Sequence, residues 1–436
     1  MIVAPAPRLA PAQAARRMTG APGGGFWISS PNPAGWPREL VSGPGGWLTG
    51  HHLDDLARLE RLWGELRARW SRGGAVPAGI PVAAGWFSYE LGRRLVGLPP
   101  DARVAGQPLF QVRLPLAVWI GTGPGEATLV GHERWAIQAM TQTLAEPGPG
   151  DAVVTQLGPL EPAEPPARFL AGVRHIRAYE EAGDTYQVNL SRRLTADFQG
   201  DPLALAIRLR QAAPAPFAFY LRDGGRAGAV LGNSPECFLS LGADGVVETR
   251  PIKGTRPRGD TPDADRAAVA ALLASPKDRA EHVMIVDLQR NDLGRVCRPG
   301  SVGVAALADL ISLPTVHHLE STVRGVLRPG VGLRELLAAT FPGGSITGAP
   351  KRRAMQIIDE LEGAPRGVYT GATGWLGAAG DLELAIVIRT ATLHEGRLEL
   401  PVGAGIVIDS SPDDELAETE VKARAFASLA RGAAPP

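Results

Sequence analysis

Residues 382–409 read LELAIVIRTATLHEGRLELPVGAGIVID. Two β-strands, at 382–393 and 398–409, are predicted here because apolar and β-branched residues fill both runs. A closing helix is predicted to follow at 413–431. One strand therefore follows another before a helix appears, which differs from the strict alternation that characterises a parallel α/β sheet.

The same grouping of elements extends toward the amino terminus. Earlier strands are predicted in four segments, 185–194, 217–222, 229–241 and 246–251. Helical spacing of apolar residues predicts helices in six segments, 53–70, 168–184, 263–275, 277–292, 333–341 and 349–363. Since strands and helices come in blocks, the sequence predicts an α+β fold in which layers are built on antiparallel sheets.

A proline-rich stretch divides the chain. Residues 146–166 read EPGPGDAVVTQLGPLEPAEPP, and so many helix breakers are typical of a linker or an extended surface crossing. We therefore expect an N-terminal α+β region at 1–150, a Pro-rich linker at 151–166 and the main functional region at 167–436.

The balance of charges limits the classes of partner. Lysine plus arginine and aspartate plus glutamate each number 45 among 436 residues, so the formal net charge is zero. Such a chain has no long-range field that favours nucleic acid or an anionic membrane, and we expect neither as a partner. No apolar run reaches the about 18 to 20 residues of a membrane span, and no secretory signal is evident. The sequence thus predicts a cytoplasmic protein.

Two acidic pairs have the spacing of a metal site. Asp278 and Glu281 lie three residues apart on one predicted helix, and Glu415 and Glu418 do so on another. Each pair projects from one helical face, so the two pairs could converge on Mg²⁺, which prefers oxygen ligands. A solvated acidic face is the alternative. Lys422, four residues after Glu418, could be its salt-bridge partner or a cation for a substrate.

Two glycine-rich segments could approach a ligand closely. FPGGSITGAPK (341–351) is a loop that opens into a helix, where free backbone N–H groups attract an anion. It is not a P-loop, because Ala349 and Pro350 follow Gly348 where a P-loop has Lys and Ser or Thr. VGAGIV (402–407) could be a second such segment or a tight turn between packed elements.

Single basic residues leave two interpretations open. Arg389 lies among apolar neighbours, which favours either a bound anion or a structural ion pair. His317 and His318 are adjacent in a predicted strand and should face opposite sides, one toward solvent. The other could be a core histidine or an acid–base group. Lys253 lies in the turn Pro-Ile-Lys-Gly and could be a nucleophile or an ordinary surface lysine.

Taken together, these segments resemble the chorismate-utilising enzymes. This family includes component I of anthranilate synthase and of aminodeoxychorismate synthase, as well as isochorismate and salicylate synthases. The resemblance covers 167–430 in order, and the region before the linker is similar only in outline, through GWFSYELGRRL (85–95). The motifs that carry it are GDTYQVNLSRRL (183–194), SPE (234–236), TRPIKGTRPRG (249–259), KDRAEHVMIVDLQRNDLGRV (277–296), FPGGSITGAPKRRAM (341–355), YTGATG (369–374), IRTA (388–391) and VGAGIVIDSSPDDELAETEVKA (402–423).

The resemblance implies a fold, a cofactor and a set of site residues. The implied fold is a layered sandwich of two large, mainly antiparallel sheets flanked by helices, as in anthranilate synthase component I. The implied cofactor is Mg²⁺, held by Glu281 and Glu418 with Asp278 and Glu415 as outer ligands. The implied contacts to chorismate are Ser345, Tyr369, Arg389, Gly403, Ala404, Gly405 and Lys422, with His318 close to the reacting ring.

Position 253 indicates the branch of the family. Anthranilate synthases carry PIAGT here and aminodeoxychorismate synthases carry PIKGT, which is the form in this chain. The resemblance then implies that Lys253 attacks C2 of chorismate and that ammonia attacks C4. Glu236 is implied as the general acid, with His318 as an assistant. The alternatives are an anthranilate synthase component I and a regulator that only binds a glutaminase.

The source of ammonia is expected to be another protein. A fused glutaminase would need a nucleophilic cysteine with a downstream histidine, and neither Cys237 nor Cys297 has such surroundings. The family implies a glutamine amidotransferase subunit as partner. The aminodeoxychorismate lyase that would act next is likewise expected to be a separate protein.

Overall fold

The computed structural model describes residues 1–19, 24–31, 37–72, 74–147, 155–222, 228–314 and 316–430. The helices are α1 Pro11–Thr19, α2 Leu53–Trp70, α3 Tyr89–Leu95, α4 Arg134–Ala145, α5 Pro166–Glu181, α6 Pro202–Ala212, α7 Pro262–Leu273, α8 Pro276–Gly294, α9 Leu333–Thr340, α10 Lys351–Leu361 and α11 Pro412–Ala430. The strands before α5 are β1 Ile2–Pro5, β2 Gly25–Ser30, β3 Arg38–Ser42, β4 Gly45–Gly50, β5 Pro81–Phe87, β6 Phe110–Pro115, β7 Ala117–Gly123, β8 Glu126–Gly131, β9 Gln156–Leu157 and β10 Glu161–Pro162.

The remaining strands follow α5. They are β11 Gln187–Gln199, β12 Phe217–Arg222, β13 Ala229–Ser234, β14 Cys237–Leu241, β15 Val246–Arg250, β16 Ile252–Pro257, β17 Gly303–Ser312, β18 Val316–Val326, β19 Gly348–Ala349, β20 Ala372–Gly377, β21 Leu382–Ile386, β22 Thr390–His394 and β23 Arg397–Ile406. Two short 3₁₀ helices lie at Ala102–Val104 and Gly344–Ile346.

The strands form two large antiparallel sheets. The first sheet has 13 strands, in the order β1-β8-β7-β3-β2-β12-β13-β22-β23-β11-β10, with β9 and β19 also paired to β11. The second sheet has ten strands, in the order β16-β18-β15-β14-β21-β20-β5-β6-β4, with β17 paired to β18. The expected α+β sandwich of two large antiparallel sheets flanked by helices is therefore confirmed.

Both sheets combine strands from before and after residues 151–166. In the first sheet β2 pairs with β12, and in the second β5 pairs with β20. Residues 155–166 run along the edge of β11, where β9 and β10 pair with it. The separate N-terminal region and linker stay a prediction, and residues 151–154 lie outside the described part of the chain.

Alternating side chains on the strands fill two apolar layers. Phe26 and Ile28 of β2 face the layer between the sheets, whereas Trp27 faces the layer that α1, α4, α6 and α11 cover. The same alternation separates Val118 from Trp119 on β7. This period of two is the physical reason why these runs form strands in a layered core. No helix in the described ranges is long and apolar enough to cross a membrane.

Two strands that the sequence predicts as continuous are interrupted. The segment 229–241 divides into β13 and β14 at Pro235 and Glu236, and the segment 382–393 divides into β21 and β22 at 387–389. Arg389 has φ of 50°, which does not fit a regular strand. Alternating apolar residues indicate strands but not such breaks. The predictions of one continuous strand at 229–241 and one at 382–393 were therefore wrong at the breaks.

Candidate active site

One large cavity brings the expected site residues together. Its volume is about 760 Å³, and its lining comes from β11, β16, β18, β23, α8, α11 and the 3₁₀ turn at Gly344–Ile346. Every residue that we expected at the site, except Ala404, lines this cavity. The side chain of Ala404 instead lies in the apolar cluster that contains Val188 and Leu190, on the opposite face of β23. Ala404 can therefore reach a ligand only through its backbone.

The break between β13 and β14 delivers Glu236 to the cavity. Its side chain is buried, and the hydroxyl of Ser345 donates a hydrogen bond to Oε1 at 2.5 Å. Burial raises the pKa of Glu236 to about 7, although Ser345 and the nearby charge of Lys253 act to lower it. A carboxyl group with this pKa can hold and release a proton near neutral pH.

Arg389 and His318 form a second polar pair. Nη2 of Arg389 lies 3.3 Å from Nε2 of His318, while Nδ1 of His318 lies 3.1 Å from the carbonyl oxygen of Gly254. Burial, with the charge of Arg389, lowers the pKa of His318 to about 4. The ring is therefore neutral at pH 7. Since Nε2 accepts from Arg389, Nδ1 carries the hydrogen, which faces the carbonyl oxygen of Gly254 and Oγ1 of Thr255 at 3.1 and 3.0 Å. His318 orients Arg389 in this arrangement.

His317 corrects one expectation from the sequence. Both His317 and His318 are 2% exposed, so neither faces solvent. His317 lies between Ser312 and Asp265, with ring-to-oxygen distances of 2.8 and 2.9 Å. Strand β17 pairs with β18 at this point and supplies Ser312, while α7 packs on β18 and supplies Asp265; alternation within β18 alone could not indicate either neighbour.

Lys253 projects into the cavity from β16. A register shift against β18 at Gly254, which has φ of 70°, turns this part of the strand. Nζ of Lys253 donates to Oε1 of Gln187 at 3.2 Å and lies 3.6 Å from Oε2 of Glu281. A Cβ atom on Gly405 would lie 2.9 Å from that Nζ, so glycine leaves the space that the amine occupies.

Tyr369 and the β23 backbone form an adjacent wall. A Cβ atom on Gly403 would lie 2.9 Å from the Tyr369 hydroxyl and equally close to Oδ1 of Asn189. Nζ of Lys422 donates to the carbonyl oxygen of Gly403 at 2.7 Å and lies 2.7 Å from Oε1 of Glu418. Lys422 thus joins α11 to β23, so the Glu418–Lys422 salt bridge is formed and lies at the cavity.

The four expected metal ligands lie on α8 and α11. On α8, Nη2 of Arg256 lies 2.8 Å from Oδ2 of Asp278, and Glu281 faces Lys253. On α11, Ser410 donates to Oε1 of Glu415 at 2.6 Å. Burial raises the pKa of Glu415, and the charges of Glu418 and Glu281 add to this effect. Burial also acts to raise the pKa of Glu418. The positive charges of Lys422 and other lysines outweigh it, so the pKa of Glu418 is lowered.

The donor set fits a cation that keeps part of its water shell. Oε2 of Glu415 is buried without a hydrogen-bond partner among the described residues. Yet none of the described His, Cys, Asp or Glu side chains form a group of three close enough to bind an ion directly. Mg²⁺ usually binds one or two carboxylates and retains several waters, so an open set of this kind suits it.

Three further polar residues belong to the site. Gln187 is fully buried and its Nε2 has no partner in the described ranges, while its Oε1 accepts from Lys253. Asn189 lines the cavity, and Gln187, two residues earlier on the same side of β11, contacts the Lys253 amine, while Val188 enters the core. The sequence shows the two-residue spacing of Gln187 and Asn189, which would have indicated that they share one side of a strand. Lys277 lies 3.7 Å from Glu415, and no pattern in the sequence indicated its place at the site.

Arg366 supports the cavity from behind. It is 6% exposed and donates to both carboxylate oxygens of Glu362, at 2.7 and 2.9 Å. It also donates to the carbonyl oxygens of Ile346 and Asn189, at 2.9 and 2.7 Å. One guanidinium therefore ties the turn that carries Ser345 to the strand that carries Gln187 and Asn189.

Comparison with known proteins places this geometry in a family. Residues 26–428 match the family described as chorismate binding enzyme. Aminodeoxychorismate synthase component 1 of Salmonella typhimurium is 41% identical over 351 residues, which are 77% of this chain and 74% of that protein. Aminodeoxychorismate synthase of Streptomyces pristinaespiralis is 44% identical over 313 residues, 70% of this chain. The match spans 43% of that longer relative.

A solved structure supports the same assignment. Anthranilate synthase component I from Streptococcus pneumoniae superposes with a TM-score of 0.73 at 30% identity, covering 94% of this chain and 93% of that one. The family match covers the cavity and all of both sheets except β1, from β2 to the last turn of α11. The chain therefore belongs to the chorismate binding enzyme family.

Proposed function

We propose that this protein is an aminodeoxychorismate synthase component I, which converts chorismate and ammonia to 4-amino-4-deoxychorismate and water. The observation that carries the proposal is the amine of Lys253, which reaches the cavity 3.6 Å from Glu281 and within hydrogen-bond distance of Gln187. Relatives named for this activity are 41 and 44% identical over 77 and 70% of the chain.

The reaction proceeds by two displacements. The unprotonated amine of Lys253 forms a bond to C2, the two conjugated ring double bonds move from C1=C2 and C5=C6 to C1=C6 and C4=C5, and the C4 hydroxyl leaves as water with a proton from Glu236. Ammonia then forms a bond to C4, both double bonds return to C1=C2 and C5=C6, and the Lys253 amine leaves C2. One proton lost by the new amino group restores Glu236, so atoms and charges balance.

The geometry favours Glu236 over His318 as the proton donor. With a pKa of about 7, Glu236 is partly protonated at neutral pH, whereas the pKa of about 4 leaves His318 neutral. The single N–H of the neutral ring faces the carbonyl oxygen of Gly254 and the hydroxyl oxygen of Thr255. We infer that His318 aligns Arg389, which with Tyr369 would bind a carboxylate of chorismate.

Magnesium completes the proposed site. Glu281 and Glu418 would hold Mg²⁺, with Asp278 and Glu415 acting through its waters. When bound, the ion supplies positive charge for the ring carboxylate of chorismate. On the protein side, Arg256 and Ser410 keep Asp278 and Glu415 in place through hydrogen bonds of 2.8 and 2.6 Å.

Ammonia would come from a partner. The Salmonella relative is named component 1, which supports a second component in that protein. We propose that a glutamine amidotransferase subunit supplies ammonia here, and that a separate aminodeoxychorismate lyase consumes the product. The cytoplasmic location expected from the sequence belongs to the same proposal.

Anthranilate synthase component I is the competing function, since a structure of that enzyme shares the fold at 30% identity. Lys253 argues against it, because one displacement at C2 would not need a lysine nucleophile. The test incubates the purified chain with chorismate, Mg²⁺ and ammonium salt, and identifies products by liquid chromatography and mass spectrometry.

We expect 4-amino-4-deoxychorismate, which added lyase converts to p-aminobenzoate. A control without ammonium salt should yield neither compound. Fluorescent anthranilate as the main product would overturn the assignment in favour of the competing synthase. The absence of any amino product in ample ammonia would instead support a chain that only binds and regulates a glutaminase.

A further inference from the structure

A buried lysine joins the two ends of the glycine-rich segment 341–351. Lys351 is the first residue of α10, and its Nζ donates to the carbonyl oxygen of Thr340 at 2.9 Å. Thr340 is the last residue of α9, so this hydrogen bond closes the segment. Nζ also lies 2.7 Å from Oδ2 of Asp292 on α8. The lysine that ends the segment is therefore bound within the protein and does not line the cavity.

The Lys351–Asp292 pair has little access to water. The two side chains are 12 and 11% exposed. Burial of such a pair contributes little to stability, because the loss of hydration offsets much of the attraction between the charges. What the pair can supply is one defined geometry, since a movement of the segment would leave both charges buried without a partner.

The turn inside the segment lies against α8. Gly343, Gly344 and Asp292 border the same small gap. A Cβ atom on Gly344 would overlap the side chain of Leu288, which lies four residues before Asp292 on one face of α8. α8 therefore holds the turn through Leu288 and the ends of the segment through Asp292.

Ser345 connects this turn to the proposed general acid. Its hydroxyl donates to Oε1 of the buried Glu236 at 2.5 Å. Ser345 is the middle residue of the three-residue turn Gly344–Ile346, so a displacement of the turn would carry the hydroxyl with it. A hydrogen bond donated to a carboxylate favours the ionised form. The position of Ser345 therefore affects how readily Glu236 releases its proton.

Several other groups face Glu236. Burial has the largest effect on its pKa and raises it, and the charge of Glu320 acts in the same direction. Ser345, the charge of Lys253 and a hydrogen bond from the backbone of Ile252 lower the pKa. Arg389 also interacts with the charge of Glu236. Ser345 is the member of this group that belongs to segment 341–351.

We propose that Lys351 and Asp292 are positioning residues for the proposed general acid: they fix segment 341–351 on α8, which keeps the Ser345 hydroxyl on Glu236. This inference rests on the role of Glu236 in the proposed function. The competing interpretation is that the pair only stabilises the fold. Both interpretations allow a lower melting temperature when the pair is broken, but only the first links the pair to the protonation of Glu236.

The experiment compares five forms of the full chain: wild type, Asp292→Asn, the double variant Lys351→Met/Asp292→Leu, Ser345→Ala and Asp359→Asn. The double variant replaces both charges by apolar side chains, which often preserves stability. Ser345→Ala removes the hydrogen bond directly and is the reference. Asp359→Asn is the matched control, because Asp359 lies eight residues after Lys351 on α10 and forms a separate ion pair with the buried Arg93.

Two measurements follow the acid. The first is the pH dependence of kcat/KM for chorismate at saturating Mg²⁺ and constant free ammonia. The second is the infrared absorption of the protonated Glu236 carboxyl group without substrate, taken in each protein as the difference from its Glu236→Gln counterpart. The second measurement reports on the acid even if the reaction is not the one proposed.

We expect the titration midpoint of Glu236 to rise by about 1 pH unit in Ser345→Ala, because a hydrogen bond to the ionised form is lost. It should rise by about 0.5–1 unit in both pair variants for the same reason, so the alkaline limb of kcat/KM moves to higher pH. Asp359→Asn should keep the wild-type midpoint.

A raised midpoint in Ser345→Ala, with wild-type midpoints in both pair variants, would overturn the inference and leave the role of Glu236 intact. An equal rise in Asp359→Asn would also overturn it, because any loss of an ion pair on α10 would then have the same effect. Infrared midpoints that rise as expected, in proteins whose kcat/KM has no alkaline limb, would support the positioning and overturn the role of Glu236 as the acid.

Discussion

The Arg366–Glu362 pair and the carboxyl groups of Glu180 and Glu415 are both buried and ionisable, but only the first group is fully paired. Arg366 donates five hydrogen bonds to protein acceptors, and Glu362 also accepts from the backbone and hydroxyl of Ser191. In the second group, oxygens of Glu180 and Glu415 lack partners in the described structure. Tyr369 lies beside Arg366, whose Cζ is 5.8 Å from its ring, and also lines the cavity.

This difference separates two uses of buried charge. A charge whose hydrogen bonds are complete within the chain stabilises one arrangement of the backbone, and removing one partner leaves the other uncompensated. A buried polar group that lacks hydrogen-bond partners within the chain is a candidate for binding a water molecule, an ion or a ligand. Substitutions in the Arg366 region should therefore change stability, whereas substitutions around Lys253 should change chemistry and ligand binding.

The largest effect is expected for Lys253→Ala. Loss of the nucleophile should reduce formation of the 4-amino product by more than the about 10²–10⁴-fold typical of an acid–base group. Mn²⁺ binding should remain, because Glu281 and Glu418 are retained. Product is measured with saturating ammonium salt, and an unchanged rate would show that the covalent route is not obligatory.

Glu236→Gln should reduce the rate by about 10²–10⁴-fold, since the amide cannot release a proton. In the wild type, kcat/KM at constant free ammonia should fall as pH rises through about 7, because burial raises the pKa of Glu236 to that value and the acid form is lost above it. Residual activity of the variant should lack this alkaline limb. A limb that persists in the variant would assign the titration to another group.

Substitutions that break the Arg366–Glu362 pair should lower the stability of the protein. Arg366→Met or Glu362→Gln alone should lower the free energy of unfolding by about 3–5 kcal/mol, because each leaves a buried charge unpaired. Urea unfolding of both single variants and of the double variant measures the coupling between them. Strictly additive losses would contradict the view that the pair acts as one unit.

The smallest effect is expected for Gly405→Ala. The new methyl group would lie 2.9 Å from Nζ of Lys253, which is the flexible end of a side chain, so the amine can move aside while the fold persists. Displacement of about 1 Å can reduce a rate by about 10²-fold. Gly374→Ala is the contrast, since its Cβ would lie 1.9 Å from the backbone oxygen of Glu383 and should destabilise the protein. Equal melting temperatures for both variants would contradict this prediction.

Local patterns in the sequence predict the elements better than their interruptions. The helix at 53–70 and the strand at 217–222 have the bounds that apolar periodicity indicates. The breaks at Glu236 and Arg389 were not predicted, because the φ and ψ angles there depend on the strands packed around them. Those breaks direct two cavity side chains, so the site depends on features that periodicity does not show.

The resemblance identified more of the site than spacing could. The i,i+3 pairs of Asp278 with Glu281 and of Glu415 with Glu418 left a solvated acidic face as an open alternative, and helical geometry alone does not say which helices meet. The burial of Glu180 was not predicted, for a similar reason. In the sequence it is one of two consecutive glutamates on a helix, and only the packing of α5 against α11 buries it and not Glu181.

The interleaving of early and late strands has a consequence for biosynthesis. Strands β20 to β23, which span Ala372–Ile406, lie inside both sheets and join β13 to β11 and β14 to β5. A nascent chain of 370 residues therefore exposes open sheet edges at four strands while it is still attached to the ribosome. Such edges invite wrong pairing. The two sheets should therefore close only after β20 to β23 have left the ribosome, and the open edges should need protection until then.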